Sequence, residues 1–594
     1  MPTDNGSALK AWTRALERTA PIGRDPRRTL PIVVDELADR YGAASALVSS
    51  DGDLSYRELS QMANRIARWA LAQGIKKGDV VCLLMANCPQ YLGLWFGLTR
   101  AGAVVSLLNT NLGGALLAHS IQVVASRWVI VGADLAQALE AVRAQLAHMP
   151  QVRAFGAGDH SFTRLEQELL HLPSEPLSER ECAAPLLEDR ALYIYTSGTT
   201  GLPKAANVSH FRLMQWSHWF AGLMDVRSTD RMYNCLPLYH SVGGVVAACA
   251  PLIGGASVVV RRRFSASEFW SDVVGHNCTL FQYIGELCRY LVNTPFHAQE
   301  TQHHLRLCCG NGLRPDVWKE FKARFRIPKI LEYYASTEGN FSLYNCEGRE
   351  GAIGRIPTFL SHRLPVALVR FDVETGAPVR DSAGRCVRCG PHEAGEAIGQ
   401  ILEAGGRSAS RFEGYADAEA SAKKVLRDVF EAGDAWYRTG DLMRKDAQGF
   451  FYFVDRIGDT FRWKGENVSS AEVAGALASC TGVQEAVVYG VTVPGADGRA
   501  GMAALVVNAQ FDLAKFRGEA GTRLPEYARP LFLRILAAIE ATGTFKPRTH
   551  ELAAQAYDPA VVPDAMYFDD RNHRAYVALD AALYARLQAA TVRL

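Results

Sequence analysis

Short apolar runs alternate with segments of helical periodicity over the first part of the chain. Tyr56–Ala70 places apolar residues at helical spacing, Gly74 then resembles a helix C-cap, and Val80–Met85 is apolar throughout. The alternation continues with a helix near Gln90–Arg100 and a strand near Ala103–Leu108. Strands that alternate with helices predict a mostly parallel sheet covered on both faces.

Four apolar strands run into turns that contain glycine or polar side chains. These segments are Ala191–Tyr195, Asp230–His240, Leu305–Gly312 and Lys329–Gly339. Open parallel sheets bind ligands at the carboxyl ends of their strands. We therefore expect a ligand site where these turns meet.

The pattern changes after Gly351 to short strands and turns. An apolar strand, Phe450–Val454, leads into Asp455–Asp459, whose charges and glycine are typical of an interdomain joint. Ser469 or Ser470 is then expected to cap a helix over Ser470–Ser479. Two further strands, at 486–491 and 502–507, complete a small α+β unit.

Composition narrows the class of protein. A chain of 594 residues is too long for one core, and its 48% hydrophobic and 21% charged residues are ordinary for a globular protein. A net charge of +2 argues against a broad nucleic-acid surface. The unevenly spaced 13 cysteines suggest reduced cytosolic thiols. Cys386 and Cys389 have metal or redox spacing, but no second zinc-like pair stands nearby.

Two segments are relevant to secretion and membrane insertion. Met1–Arg28 has no apolar core of the kind found in secretory signals. Ser241–Val260 is uncharged and long enough to span a bilayer, but Pro251 and paired glycines favour a buried helix, a turn and a strand.

The loop between 196 and 204 has the composition of a phosphate site. Gly198 and Gly201 allow successive N–H groups to converge on an anion. Lys204 adds a mobile charge. The hydroxyl donors are Thr196, Ser197, Thr199 and Thr200. The spacing is not that of a Walker A loop, and a flexible surface turn is the alternative.

Other polar residues follow strands where a ligand could lie. Thr337 could bond a phosphate, Glu338 could hold Mg²⁺, and Asp441 could accept from sugar hydroxyls. The alternatives are a common Thr-Glu-Gly turn and a structural Asp turn. His240 lies between a strand end and a glycine-rich helix start, and Lys546 lies on a tight turn after Gly543.

Five motifs occur in one order along the chain. They are Thr196–Lys204, Tyr334–Glu338, Tyr437–Leu442, Asp455–Asp459 and Lys546. Together they resemble the adenylate-forming superfamily. Asn109–Leu112, Phe461–Ser469 and Thr542–Lys546 are similar to the fatty acid transport protein and very-long-chain acyl-CoA synthetase group.

The resemblance implies an α/β fold. It has a large N-terminal domain of stacked, mostly parallel sheets with helices and a small β-rich subdomain, followed by a small mobile α+β domain. We predict an ATP- and acyl-binding domain at 1–454, a hinge at 455–459 and a C-terminal lid at 460–594. By position, Gly458 is the hinge residue.

The resemblance also implies an AMP-forming ligation of a long- or very-long-chain fatty acid to coenzyme A through an acyl-adenylate. Lys546, Thr337, Glu338 and Lys204 would be catalytic, with Mg²⁺ on Glu338. The nucleotide would also contact the loop residues 196–201, Tyr334, Asp441 and Arg456. Gly310, Asn311 and Gly312 would pack around the adenine.

The sequence gives less support for the acyl pocket than for the nucleotide site. Tyr239, His240 and Trp216 lie near the expected tunnel, as do Trp219 and Phe220, although aromatic residues at helical spacing are more often core. The expected partners are fatty acid, ATP and CoA, with no nucleic acid. A cytoplasmic location is expected, and peripheral attachment to the inner face of the membrane and a homodimer stay open. Animal members of the group carry an N-terminal membrane segment, and no such segment is recognised in this sequence, which puts integral attachment in doubt.

Three other functions compete. The acid could be bulkier or polar, such as a sterol-derived acid or carnitine. The protein could take up fatty acids with a silent ligase site, although retained Lys204, Glu338 and Lys546 argue against this. An amino-acid-activating module would normally be followed by a carrier domain, for which too few residues remain after Lys546.

Overall fold

A computed structural model describes residues 7–197, 202–402, 411–541 and 548–592. The chain forms two compact units. The first comprises Met1–Pro365, Gly399–Leu426 and Ala435–Tyr437, and the second comprises Val366–Ile398, Arg427–Asp434 and Arg438–Leu594. The predicted α/β class is confirmed.

The first unit contains two large sheets. The eight-stranded sheet is parallel except for the strand at each edge. In spatial order its strands are Ser342–Asn345, Ile330–Ala335, Leu307–Asn311, Leu280–Ile284, Arg231–Asn234, Ser257–Val260, Ser45–Val48 and Leu54–Ser55.

The seven-stranded sheet is parallel except for its last strand, which forms an antiparallel hairpin with the strand before it. Its strands are, in spatial order, Thr163–Arg164, Gln151–Phe155, Trp128–Gly132, Val80–Leu84, Val104–Leu107, Arg190–Ser197 and Pro203–Ser209.

Helices alternate with these strands, as the sequence pattern predicts. Those of the first unit are Ala8–Thr19, Leu30–Tyr41, Tyr56–Ala72, Pro89–Arg100, Gly114–Gln122, Ala136–Val142, Leu165–Leu169, His210–Leu223, Ala250–Ile253, Phe269–Gly275, Gly285–Val292, Pro315–Arg324 and Ala418–Ala422. Short 3₁₀ turns lie at Ile22–Arg24, Ala133–Leu135, Arg143–Gln145 and Thr358–Leu360.

The helix Tyr56–Ala72 shows how local sequence sets an element. Ser55 and Glu58 form a reciprocal capping box at its start, and Gly74 has a φ of +74° just past its end. Its apolar face is buried, so the helix is fixed at both ends and along one side.

The uncharged segment 241–260 folds as predicted into helix, turn and strand. Ser241–Cys249 is a π-helix, Ala250–Ile253 is α-helical, and Ser257–Val260 is a buried strand. A Cβ at Gly243 would lie 2.2 Å from the Pro237 carbonyl oxygen, so glycine permits the close packing of this helix on the turn before His240. Within the described residues, no helix is both long and apolar enough to cross a membrane.

The second unit holds the late α+β region. A five-stranded sheet has the order Val483–Thr492, Arg499–Val507, Phe532–Leu536, Ala565–Asp570 and Ala575–Ala578. Its helices are Ser470–Ala478, Leu513–Arg523, Thr549–Gln555 and Ala581–Gln588, with a 3₁₀ turn at Glu526–Ala528. The side chain of Ser469 accepts from the backbone N–H of Glu472, which confirms the predicted cap.

The shorter strands form the β-rich region. One sheet contains Val366–Val369, Ala394–Gln400, Ala435–Lys445, Val425–Arg427 and Phe451–Arg456, and two small hairpins pair Phe371–Asp372 with Ala377–Pro378 and Phe461–Trp463 with Glu466–Val468. Gly440 lies within a strand and has a φ of +80°. The predicted hinge at 455–459 and the boundaries on either side of it stay predictions.

Candidate active site

Three of the four predicted strand ends meet at one edge of the eight-stranded sheet, whereas the strand Arg190–Ser197 belongs to the seven-stranded sheet. Arg231–Asn234, Leu307–Asn311 and Ile330–Ala335 are mutually parallel, so the residues that follow them share an edge. Ser241 Oγ and Thr337 Oγ1 are 3.3 Å apart, which brings the His240 turn beside the Thr337 turn.

Glu338 is held by two tyrosines at this edge. Tyr415 Oη donates to Glu338 Oε1 at 2.8 Å, and Tyr437 Oη donates to the same oxygen at 3.1 Å. The residue is 7% exposed. Since both hydroxyls use Oε1, neither occupies Oε2.

Glycine is required directly after Glu338. A Cβ at Gly339 would lie 2.3 Å from Tyr437 Cε1 and from Ser336 Oγ. A larger residue would therefore push away the tyrosine that donates to Glu338 and to Ser336 Oγ at 3.0 Å. Close packing against Tyr437 and Ser336 therefore explains why glycine follows Glu338 in the Thr-Glu-Gly turn.

A buried ion pair fixes the segment that carries Tyr415. Glu413 accepts from Ser209 N at 2.8 Å and from Ser209 Oγ at 2.6 Å. Arg212 lies 3.6 Å from Glu413 Oε1 and donates to the Thr337 carbonyl at 2.8 Å. Both charged side chains are 7% exposed, so the pair links the helix His210–Leu223 to the Thr337 turn through buried contacts.

The strands that flank the phosphate loop reach the same cluster. Thr196 and Lys204 are cross-strand partners in the hairpin, and both are half-buried. Lys204 Nζ lies 5.8 Å from the centre of the Tyr415 ring, and the side chain of Thr196 bonds Tyr415. Burial and the nearby Glu338 charge raise the Tyr415 pKa, so its hydroxyl stays a donor.

Several predicted residues lie outside the described residues. They are Gly198, Thr199, Thr200, Gly201 and Lys546, and for Ser197 only the backbone is described. Their predicted roles stay predictions.

The glycine turn predicted beside the adenine begins within a strand. Gly310 pairs with Tyr283 on one side and Glu332 on the other, and a Cβ there would lie 2.3 Å from the Tyr283 carbonyl oxygen. Asn311 ends the strand and Gly312 has a φ of +75°. Tyr334, half-buried on the next strand, meets Phe341 edge-on with ring centres 5.6 Å apart.

Glu332 is a buried acid that the sequence reasoning missed. Its carboxyl accepts from Tyr283 Oη and, at 3.1 Å, from the Leu313 backbone N–H directly after Gly312. Burial raises its pKa to about 8, although these hydrogen bonds act in the opposite direction. Glu332 therefore fixes the glycine turn mainly as a neutral acid at pH 7.

Three of the aromatic residues proposed for the acyl pocket, Trp219, Phe220 and Tyr239, are buried in one hydrophobic core. Trp219 and Phe220 pack there on Tyr344, at ring-centre distances of 5.7 and 5.8 Å. Tyr239 is buried and accepts from Asn111 Nδ2 at 3.2 Å, with the His240 ring 4.7 Å away.

Trp216 is half-buried, and the Arg212 guanidinium lies 5.5 Å from its ring centre. Trp216, Tyr239 and His240 stay candidates.

Asp441, Arg456 and Gly458 belong to the second unit. Asp441 and Arg456 are cross-strand partners with a separation of 3.9 Å between Arg456 Nε and Asp441 Oδ1. Gly458 lies exposed in the turn that follows, and a Cβ there would meet nothing within 4 Å. Asp455 accepts from the Ser470 N–H at 2.6 Å and so ties the strand end to the next helix.

The described residues contain no group of three or more His, Cys, Asp or Glu side chains arranged to hold a metal. Cys386 and Cys389 are free thiols, and burial raises the pKa of Cys389 to about 11.

Tyr415, Arg212 and Glu413 are also residues that sequence reasoning missed. They come from separate parts of the chain, and no local periodicity marks them. Tyr437 stands in the motif Tyr437–Leu442, but the sequence by itself assigns it no role. The signal that could have found it is its place at the head of that motif.

Comparison with known proteins accounts for this arrangement. A model of the AMP-binding enzyme family matches residues 34–396, and a model of the AMP-binding enzyme C-terminal domain matches residues 472–546. The chain belongs to the AMP-binding enzyme family. The predicted resemblance to adenylate-forming enzymes is thereby confirmed.

Two curated relatives show which members of the family this chain is similar to. The chain is 40% identical to long-chain fatty acid transport protein 1 of Mus musculus, over 94% of this chain and 87% of the relative. It is also 40% identical to long-chain fatty acid transport protein 6 of Mus musculus, over 96% and 92% of the two chains.

Solved structures share the fold. An anthranilate CoA ligase bound to anthranoyl-AMP matches with a TM-score of 0.77 at 21% identity, covering 91% of this chain and 99% of that one. A Mycobacterium tuberculosis fatty acyl CoA synthetase matches with a TM-score of 0.64 at 25% identity, covering 90% and 100%.

Proposed function

We propose that this protein ligates a long- or very-long-chain fatty acid to coenzyme A through an acyl-adenylate. The observation that carries the proposal is Glu338 at the carboxyl edge of the sheet, fixed by two tyrosines with Oε2 left unused by them. Relatives named long-chain fatty acid transport proteins and a similar fatty acyl CoA synthetase support the substrate class.

The first half-reaction forms the adenylate. The fatty acid carboxylate attacks the α-phosphorus of ATP, an acyl–phosphate bond forms, and pyrophosphate leaves with the electrons of the broken phosphoanhydride bond. The chain needs no covalent nucleophile, so its residues act by position and charge. Lys204 would neutralise the departing phosphates and Lys546 the charge between carboxylate and α-phosphate.

The second half-reaction transfers the acyl group. The CoA thiol loses its proton to solvent and its sulfur bonds to the acyl carbon, while the bond between the acyl carbon and the phosphate oxygen breaks and AMP leaves with its electrons. Asp441 and Arg456 would hold the ribose, and Tyr334 would stack on the adenine. We propose that the C-terminal domain rotates about Gly458 between the two steps. The rotation would move Lys546 away and make room for CoA, because one arrangement of residues cannot serve both steps.

The residues present fit a bound Mg²⁺. Glu338 Oε2 and Thr337 Oγ1 are oxygen ligands of the kind this ion prefers. When bound, the ion would offset negative charge on the phosphates. The tyrosines keep Glu338 Oε1 fixed, which orients the other oxygen.

Pyrophosphate release with ATP and CoA tests the proposal across acids from acetate to very long chains, with cholate and carnitine included. We expect maximal release with long or very long fatty acids. Lys546→Ala should abolish the release, whereas Lys515→Ala, a surface substitution on the helix Leu513–Arg523, should not. A maximum with cholate or carnitine would reject the substrate class, and no release with any acid would reject the ligase.

Gly458→Pro separates the hinge from the chemistry. We expect adenylate formation to be largely retained and acyl-CoA release to slow. Equal loss in both half-reactions would reject Gly458 as the hinge.

A further inference from the structure

Each of the two tyrosines that hold Glu338 lies beside a lysine. Lys204 Nζ lies 5.8 Å from the centre of the Tyr415 ring, and Lys424 Nζ lies 5.8 Å from the centre of the Tyr437 ring. Both tyrosine hydroxyls donate to the same carboxylate oxygen, Glu338 Oε1. Two ammonium groups therefore accompany one carboxylate, each beside one of its tyrosines.

The backbone of its own turn fixes Lys424 close to Tyr415. Lys424 follows the helix Ala418–Ala422, and its N–H donates to the Ser421 carbonyl at 3.0 Å. Ser421 Oγ in turn accepts from the Tyr415 N–H at 2.8 Å. A Cβ at Gly414 would lie 2.7 Å from this hydroxyl oxygen, so glycine permits the close contact. The turn that carries Lys424 is thereby tied to the segment that carries Tyr415.

On its other side, Lys424 leads into the sheet that contains Tyr437. The strand Val425–Arg427 begins at the next residue and is the neighbour of the strand Ala435–Lys445. The side chain of Lys424 is half-buried. Lys424 is therefore placed from both directions, by a turn bonded to one tyrosine of the site and by a strand beside the other.

The preceding lysine has different surroundings. Lys423 is exposed and pairs with Glu419 at 2.7 Å, on the helix that ends just before it. The hydrogen bond and charge of Glu419 raise the Lys423 pKa. Of two consecutive lysines, one is ion-paired at the surface and the other lies beside a tyrosine of the candidate active site.

The charges of this cluster favour an anion. Arg212 and Glu413 offset each other as a buried pair, which leaves Glu338 against Lys204 and Lys424. Among these side chains the positive charges exceed the negative ones by one. Lysine binds phosphate as a mobile point charge on a long stem, so two lysines near one acid suit a ligand with several phosphates.

We propose that Lys424 binds the β- and γ-phosphates of ATP together with Lys204. The inference rests on the nucleotide site of the proposed function, and it adds a residue that lies outside the five sequence motifs. A triphosphate carries more negative charge than one lysine offsets. The second ammonium group would also stabilise the charge that builds on pyrophosphate as it leaves.

Nucleotide binding without metal tests this assignment, because AMP lacks the phosphates that Lys424 would bind. Isothermal titration calorimetry of the full chain in EDTA gives dissociation constants for ATP and AMP, with neither fatty acid nor CoA present. Lys424→Met removes the charge and keeps most of the stem beside Tyr437. The ratio of the ATP constant to the AMP constant should rise about tenfold, as for loss of a charge-assisted phosphate contact.

Two further variants separate charge from packing. Lys423→Met is the matched control from the adjacent surface position and should leave both constants unchanged. Lys424→Arg keeps the charge, so its ratio should stay within about threefold of the parent ratio. If Lys424→Met is unfolded by circular dichroism, Lys424→Gln takes its place with the same expected tenfold rise in the ratio.

A ratio that stays unchanged in the folded, uncharged variant would overturn the proposal. Equal weakening of ATP and AMP would overturn it too, because it would show that Lys424 only supports the structure around Tyr437. Absence of ATP binding to the parent chain would also contradict it. These results are independent of pyrophosphate release across the acid panel, so the inference and the proposed ligase activity can fail separately.

Discussion

Glu332 lies inside the strand Ile330–Ala335, whereas Glu338 follows that strand at its carboxyl end. Both are nearly buried, at 4% and 7% exposure, and both accept from tyrosine hydroxyls. Their surroundings differ. Glu332 is enclosed between neighbouring strands and fixes the Gly312 turn, while Glu338 stands where loops converge and has an oxygen that its tyrosines do not use.

The comparison shows that position in the sheet, more than residue type, decides the task of a buried acid. Inside the sheet, loss of solvent favours the neutral carboxyl, which stabilises a turn. At the edge, oriented hydroxyl donors fix one carboxylate oxygen and leave the other for a ligand. Four experiments test this contrast.

Exchanging the two acids for amides should give the largest difference. Glu338→Gln is expected to lower pyrophosphate release about 10²–10³-fold, because a charge that stabilises the transferring phosphates is lost. Glu332→Gln should retain most activity, since its carboxyl is mainly neutral at pH 7. Steady-state kinetics of both variants measure the difference. Equal losses would contradict the division of tasks.

Removing the buried ion pair should lower the stability of the protein at the carboxyl edge of the eight-stranded sheet. Arg212→Met leaves Glu413 buried without its cation, and the free energy of unfolding should fall by about 3 kcal/mol. Urea denaturation measures the change, with the exposed Arg326→Met as control, expected within about 0.5 kcal/mol of the parent. A similar small loss in both variants would mean that the pair does not fix the edge.

The interior acid should make stability depend on pH. The unfolded Glu332 ionises near 4.5, whereas the folded pKa is about 8. Between these values the folded state binds more protons, so its contribution to the free energy of unfolding falls as pH rises, by at most about 1.4 kcal/mol per pH unit. Denaturation of Glu332→Gln at pH 5 and 8 should show a smaller fall than in the parent. An unchanged pH dependence would mean that a group other than Glu332 binds the additional proton in the folded state.

Removing one tyrosine hydroxyl should have the smallest effect. Tyr415→Phe and Tyr437→Phe each leave one donor on Glu338 Oε1, and a hydrogen bond to a charged group contributes about 1.5 kcal/mol. The Mg²⁺ concentration for half-maximal activity should rise about threefold to tenfold, and more in the double variant. Tyr56→Phe, which lacks contact with Glu338, should leave it unchanged; a rise there would show that the assay reports general destabilisation.

Sequence alone determined the periodic elements and the placement of polar residues after strands. Thr337, Glu338 and His240 could be assigned to one edge because parallel strands expose their carboxyl ends together, and the capping of the helix at Ser469 is a local property. Motif resemblance then supplied the family, which no periodicity could reveal.

Tertiary structure decided which groups meet. Tyr415 donates to Glu338 from 77 residues along the chain, and the pKa of Glu332 follows from strands that enclose it. Hydrogen-bond partners, desolvation and net local charge depend on contacts distant in sequence, whereas periodicity and capping depend only on near neighbours.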